Sequence, residues 1–321
     1  MITAYVPADN SLKPVTLAAG EPIPDAAVWI DLLHPSDEEL VFVDRALNLD
    51  VPTEEDMREI EISSRLYQEE DAFYMTATMI TQSDMPQPLS VPVSFVLAHH
   101  RLLTLRYAEP LPFRVYAAQA SRHNMPCATG EDVLAGLLDA ITDRIADILE
   151  RVQVDIETLS REIFTREHRG KKDYNAILAR IGRNHALTSQ ARESLVSFGR
   201  LVGFVARPSE AKLTKSAERG FKTISRDVTA LSDHASFLAN NIGFVLDATL
   251  GLINNEQSST IKIFSVAAVV FLPPTLIASI YGMNFEFMPE LAWSYGYPMA
   301  LGLMVLFAVL PYLFFKYRGW L

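Results

Sequence analysis

A single cysteine, Cys127, is present in the 321 residues, so no internal disulfide and no thiolate metal cluster can form. That usage fits a reducing compartment for the soluble part. Basic residues are in deficit: 28 Lys and Arg stand against 39 Asp and Glu, a formal net charge of −11. A nucleic-acid partner would need a basic face to neutralise phosphates, and this balance argues against one. The N-terminus, Met1-Ile2-Thr3-Ala4-Tyr5-Val6-Pro7-Ala8-Asp9, has neither a basic start with a long apolar run nor an Arg-rich transit pattern. The large N-terminal part is therefore expected to stay in the cytoplasm. Also missing are a Gly-rich phosphate loop, an HExxH pattern and a nucleophile elbow. His99 and His100 have no cysteine or carboxylate at metal-ligand spacing, and read as a hairpin connection. No enzyme, catalytic residue or cofactor is expected.

What the chain does have is apolar residues, nearly half of the total, and their distribution is uneven. Residues 1–110 read as a mixed α/β domain. Val28–Leu33 is a candidate buried strand, and Ser36-Asp37-Glu38-Glu39 and Thr53-Glu54-Glu55-Asp56 are helix starts with acidic first turns. Phe73–Ile80 alternates like a half-buried strand, and Ser90–Leu97 and Leu102–Tyr107 supply two more. From about Pro112 onward strands disappear. In residues 111–208, apolar positions from Leu134 to Ile163 recur at steps of three and four, predicting a long amphipathic helix. Arg169–Asp173 breaks it, and a second helix from about Tyr174 to Ala206 returns antiparallel. After Pro208 no proline occurs until Pro273. A helix from about Glu210 would span about 90 Å at 1.5 Å per residue, the length of a stalk (209–262) leading to a membrane.

The charge-free stretches are at the C-terminal end, 263–321. Between Lys262 and Glu286 about 23 residues carry no charge, and between Glu290 and Lys316 about 25. Two spans, about 263–283 and 295–315, follow from the roughly 20 apolar residues a bilayer requires. Lys262 precedes the first, Lys316 and Arg318 follow the second, and the loop between has only Glu286 and Glu290. The distribution of Lys and Arg places both termini in the cytoplasm.

The first span carries a seam that lipid contact does not explain. Alternate steps of four and three select Asp247, Gly251, Asn254, Ser258, Ile261, Ser265, Ala268, Leu272, Thr275 and Ser279, reaching Gly282 and Asn284. Small and polar residues on an apolar helix mean either close helix packing or the wall of a water-filled path. Around a symmetry axis the same seam would do both. Pro273-Pro274 removes two backbone donors within the span. The segment ends in Tyr281-Gly282-Met283-Asn284-Phe285, then Glu286-Phe287-Met288-Pro289-Glu290-Leu291, and Tyr281, Phe285, Phe287, Trp293, Tyr295 and Tyr297 fit an interfacial aromatic belt.

Gly282-Met283-Asn284 at the end of the penultimate span, followed by Met288-Pro289-Glu290-Leu291 and a span with a basic tail, closely resembles the CorA magnesium transporters. Ile263-Phe264-Ser265 and Phe271-Leu272-Pro273-Pro274-Thr275 are similar to the bacterial pattern as well. The resemblance covers the whole layout and is most specific over roughly the last 65 residues. It implies a homopentameric funnel in the bacterial inner membrane, with an α/β cytoplasmic domain, a long helical stalk and two C-terminal transmembrane helices, the first lining the pore. It implies a selectivity filter of Gly282, Met283 and Asn284, with Gly282 and Asn284 forming the outer ion-binding ring. Thr275 would line the pore below, Leu272 would be an apolar neck, and Asp247 would ring the cytoplasmic mouth. Positions carrying methionine or asparagine in some members are Ile261 and Ser258 here.

On that reading Mg²⁺ is the transported ion and also the regulator that closes the pore from inside. Magnesium releases its water reluctantly and favours oxygen ligands, so acceptors that bind the hydrated ion suit it. Asp227 and Asp233, with Glu54, Glu55 and Asp56, are acids available for regulation; Thr223 stands where some relatives carry a stalk aspartate. Co²⁺ and Ni²⁺ would pass as hydrated ions of similar charge. Two alternatives are compatible with the same residues: a Zn²⁺ transporter of the same family, which the lack of pore His or Cys disfavours, and a membrane-anchored oligomeric sensor or scaffold.

Overall fold

The computed structural model describes residues 1–8, 11–18, 20–85, 87–122, 125–165, 172–206, 213–284 and 288–319. The chain forms two compact units, Met1–Leu246 and Asp247–Leu321.

The first unit is built on seven strands: β1 (Ile2–Ala8), β2 (Ser11–Leu17), β3 (Trp29–Leu33), β4 (Leu66–Glu69), β5 (Ala72–Thr81), β6 (Leu89–Ala98) and β7 (Arg101–Arg106). Their order is β2-β1-β3-β7-β6-β5-β4, antiparallel except for the β3–β7 pair. β3 is buried on both faces, as are β5 and β7. Ile30 and Leu32 join a core with Val43 of α1 (Asp37–Leu47) and Met57 of α2 (Glu54–Arg58). On the opposite face Trp29 stacks on Tyr5 and meets Phe113 and Tyr116 of α4 (Leu111–Ala120). The same face buries a polar chain. Trp29 Nε1 donates to Thr104 Oγ1 at 2.9 Å, Thr104 donates to Asp31 at 2.7 Å, and the Arg106 guanidinium grips both Asp31 oxygens at 3.0 and 2.7 Å.

Both helix starts read from sequence carry full capping boxes, Ser36 with Glu39 and Thr53 with Asp56. β1, β2 and β4 were not legible, nor were α4 and the short α3 (Ile62–Arg65). The reason for β2 is visible: Pro14 interrupts its alternation, and the strand tolerates it because it is at the sheet edge. The turn between β6 and β7 consists of His99 and His100, both at positive φ (49° and 61°), the conformation of the tightest hairpin connection.

Three helices complete this unit. α5 (Gly130–Phe164) starts at the Thr129 cap and buries the predicted apolar face through Ile163; α6 (Tyr174–Val205) starts at the Asp173 cap. Arg180 of α6 pairs with Asp155 and Glu162 of α5, fixing the antiparallel register. The predicted break at Arg169–Asp173 falls largely outside the described residues. α7 (Lys215–Tyr281) buries Phe221, Ile224, Val228, Leu238, Ile242 and Val245 in the first unit. Glu210, the expected start of that helix, also lies outside the described residues.

The second unit comprises α7 from Asp247, a 3₁₀ turn (Pro289–Ala292) and α8 (Gly296–Tyr317). α7 and α8 are each long and apolar enough to cross a membrane.

Candidate functional site

The seam is exposed in the single chain along its whole length: Asp247, Gly251, Asn254, Ser258, Ile261, Ser265, Ala268, Leu272, Thr275, Ser279 and Gly282. Shielded positions of the same span are Val266, Ala267, Val270, Pro273, Pro274, Ile277 and Tyr281. At about 100° per residue, the seam from Ser258 to Gly282 and the shielded set are centred about 180° apart around the helix. Val266 is 6 % exposed and Leu272 67 %. One helix face cannot enclose a path, so within one chain the seam residues line up without converging.

Both prolines lie within an unbroken helix, so the carbonyls of Val269 and Val270 lose their usual N–H partners. One turn on, the Thr275 hydroxyl donates to the Phe271 carbonyl at 2.8 Å. With its proton engaged, Thr275 Oγ1 presents lone pairs only. The hydroxyls of Ser265 and Ser279 make no hydrogen bond among the described residues.

The helix ends at Tyr281. The Gly282 N–H bonds the Ala278 carbonyl at 2.9 Å and the Met283 N–H bonds Ile280 at 3.2 Å. Gly282 avoids the left-handed region. A Cβ there would lie 3.0 Å from the Ala278 oxygen, a tight contact that a side chain could occupy only if the turn gave by a few tenths of an ångström. Asn284 follows outside the helix, exposed, with its amide unengaged among the described residues. It is not the helix cap, so its oxygen is available as an acceptor. Phe285, Glu286 and Phe287 lie outside the described residues. A glycine that sequence reading passed over, Gly296, is needed at the start of α8: a Cβ there would come within 2.3 Å of the Glu290 carbonyl. Trp293 and Tyr295, two of the aromatics expected at the membrane interface, meet edge to face at 6.2 Å.

Among the acids considered for regulation, Asp56 is held by Thr53 in the α2 cap and Glu54 by Arg58. Local structure accounts for both. Asp227 instead belongs to a group of acids that sequence did not assemble. Asp139 and Asp143 are exposed, yet partial desolvation, then the charges of Asp143 and Asp227, push the Asp139 carboxyl above its ordinary range. Partial desolvation, then Asp147 and Asp227, do the same for Asp143. Thr223 donates to the Arg219 carbonyl. Among the described residues no three His, Cys, Asp or Glu side chains are placed to hold a metal. The turn histidines are no exception, although His100 Nδ1 does find a carboxylate, that of Glu131 at 2.7 Å. Glu131 is 31 residues away at the start of α5, a contact that local spacing could not reveal.

Residues 24–317 match the family model described as CorA-like Mg2+ transporter protein. The chain is 35 % identical over 321 residues to the magnesium transport protein CorA of Escherichia coli (strain K12), covering 100 % of both chains. It is 36 % identical over 296 residues to that of Pectobacterium atrosepticum, covering 92 % of each. Among solved structures, the complete CorA magnesium transporter of Methanocaldococcus jannaschii superposes with a TM-score of 0.74 at 18 % identity, over 100 % of this chain and 99 % of that one. With the family model spanning most of the chain and full-length relatives above a third identical, the chain belongs to the CorA family of magnesium transporters.

Proposed function

We propose that the protein is a homopentameric channel for Mg²⁺ influx, its pore lined by the seam of α7. The observation that carries this is the opposition of faces. The shielded side of the span leaves the small and polar seam open together with large apolar flanks such as Phe264 and Phe271. Copies arranged around an axis would turn the seam inward and leave the flanks to lipid and neighbouring helices. Oxygens from Asn284, Thr275, Ser279 and Asp247 then become rings. The selectivity filter is Gly282-Met283-Asn284, with Asn284 and the Gly282 carbonyl as the outer ring and Thr275 and Asp247 below. Ser265, Ala268, Ser258 and Asn254 line the path, and Leu272 and Ile261 are apolar necks able to close by dewetting.

The ring chemistry suits an ion that keeps its water. Amide and hydroxyl oxygens accept hydrogen bonds from the first hydration shell without asking Mg²⁺ to shed it. The span has no carboxylate to trap the ion. Both termini are cytoplasmic, the membrane is the bacterial inner membrane, and an inside-negative potential draws a divalent cation in with about 4.6 kcal/mol per 100 mV. Closure by cytoplasmic Mg²⁺ and passage of hydrated Co²⁺ and Ni²⁺ belong to the same reading.

The test is Mg²⁺ uptake into liposomes containing the purified protein, with and without an inside-negative potential, alongside Asn284→Ala. Potential-driven uptake that the variant loses supports channel and ring together. Uptake that survives moves selectivity away from Asn284. Zn²⁺ flux without Mg²⁺ flux would overturn the ion assignment.

A further inference from the structure

The open edge of β5 borders a cavity of about 510 Å³ in the first unit that the ion pathway does not use. β4 pairs with β5 only as far as Met75, so Thr76 and Thr78 lack a neighbouring strand on that side. α6 fills the place. Ser197 Oγ accepts the Thr78 backbone N–H at 3.1 Å, which leaves the Ser197 hydroxyl proton free to donate.

Three arginines line the cavity, Arg65 at the end of α3 and Arg192 and Arg200 on α6, against one acidic residue, Glu193. In a chain of net charge −11, this is a local reversal of sign. Arg65 is anchored by the Glu59 carbonyl at 2.5 Å and Thr78 Oγ1 at 3.2 Å, which holds its planar fork in place. Among the described residues none of the three arginines is paired with a carboxylate. Ser189 and Thr76 add hydroxyls to the wall. The rest of the wall is apolar: Ile60, Ile62 and Val196, 88, 53 and 42 % exposed, with Leu66.

We propose that this cavity binds a phosphorylated small organic molecule of nucleotide size. Guanidinium forks match phosphate oxygens two at a time, and free hydroxyls supply the remaining donors. The isoleucines and Val196 cover an apolar body, and the volume lies within the roughly 300–1,000 Å³ of ligand pockets. A site for bare inorganic anions would have no use for that apolar wall.

Calorimetric titration of the full-length protein in detergent, at constant free Mg²⁺, tests this with ATP, adenosine and inorganic phosphate as probes. ATP is expected to bind, inorganic phosphate more weakly, and adenosine not measurably. Arg192→Ala with Arg200→Ala should weaken ATP at least about tenfold, since each charge-assisted contact is worth about that factor or more. Arg192→Lys with Arg200→Lys, which keeps charge but loses the forks, should fall in between. Mg²⁺ uptake without nucleotide should be unchanged, because neither arginine is in the pathway. No ATP binding at millimolar concentration overturns the proposal, as does binding that the double alanine variant leaves intact. A changed oligomeric state in that variant would assign the arginines to a contact between copies and also overturn it. Phosphate binding as tight as that of ATP would remove the organic body from the assignment.

Discussion

Thr275 Oγ1 lies 2.8 Å from the Phe271 carbonyl oxygen, so in a span that carries two prolines within a continuous helix the hydroxyl proton is engaged and the oxygen is left as an acceptor. Thr275→Ser retains this arrangement and should keep most of the Mg²⁺ uptake. Thr275→Val keeps the shape, removes the oxygen, and should lower uptake severalfold with Asn284 still in place. Equal uptake in both variants, measured in liposomes, would take Thr275 out of the pathway.

Gly282→Ala tests the helix end. The added methyl meets the Ala278 carbonyl at 3.0 Å, and that carbonyl also accepts the Gly282 N–H. A backbone acceptor cannot rotate away as a side chain could, so the turn carrying Asn284 must shift. Uptake is expected to drop by about tenfold, the effect of losing roughly 1.4 kcal/mol at the proposed ring. Size-exclusion profiles should stay unchanged. A fully active Gly282→Ala would show that the turn tolerates displacement.

Asp31 and Arg106 form a buried ion pair whose disruption should destabilise the first unit. Arg106→Met leaves a buried carboxylate with only the Thr104 hydroxyl and should cost about 3–5 kcal/mol. Combining it with Asp31→Leu should cost less than the sum of the two single changes, because no charge is then stranded. Thermal unfolding of the detergent-solubilised protein distinguishes these cases, and strict additivity would contradict the coupling.

Acidification should stabilise the Asp139–Asp143 region. Both carboxyls have folded-state values raised above the unfolded ones, so their ionisation opposes folding. The sign follows from linkage: the folded form binds more protons, and stability rises as pH falls from neutral through the raised values, levelling off below the ordinary carboxylate range. Asp139→Asn should raise the unfolding temperature near neutral pH and flatten this dependence. An unfolding temperature lower than that of the native protein at pH 7 would refute it.

Much of this was legible in the chain itself. The long helices were written in three- and four-residue apolar steps, the helix starts in Ser36 and Thr53, and the hairpin in the gap between two alternating runs at His99-His100. Gly282-Met283-Asn284 was visible because it sits where a charge-free run ends. Strands with weak patterns were less accessible. β1 and β2 contain Pro7 and Pro14, and β4 has only four residues, so they form through pairing with partners far along the chain.

Local periodicity determined the spans, the seam and the acceptor-rich helix end, because each depends on residues within a few turns of one another. Tertiary structure decided which face of α7 stays open, since shielding depends on what packs against the span. It also decided that Asp56 serves a cap while Asp227 joins Asp139 and Asp143. Distant segments brought Arg65 to the same cavity as Arg192 and Arg200, across more than a hundred residues of chain. Charge and burial at such sites are sums over neighbours in space, and spacing along a sequence does not record them.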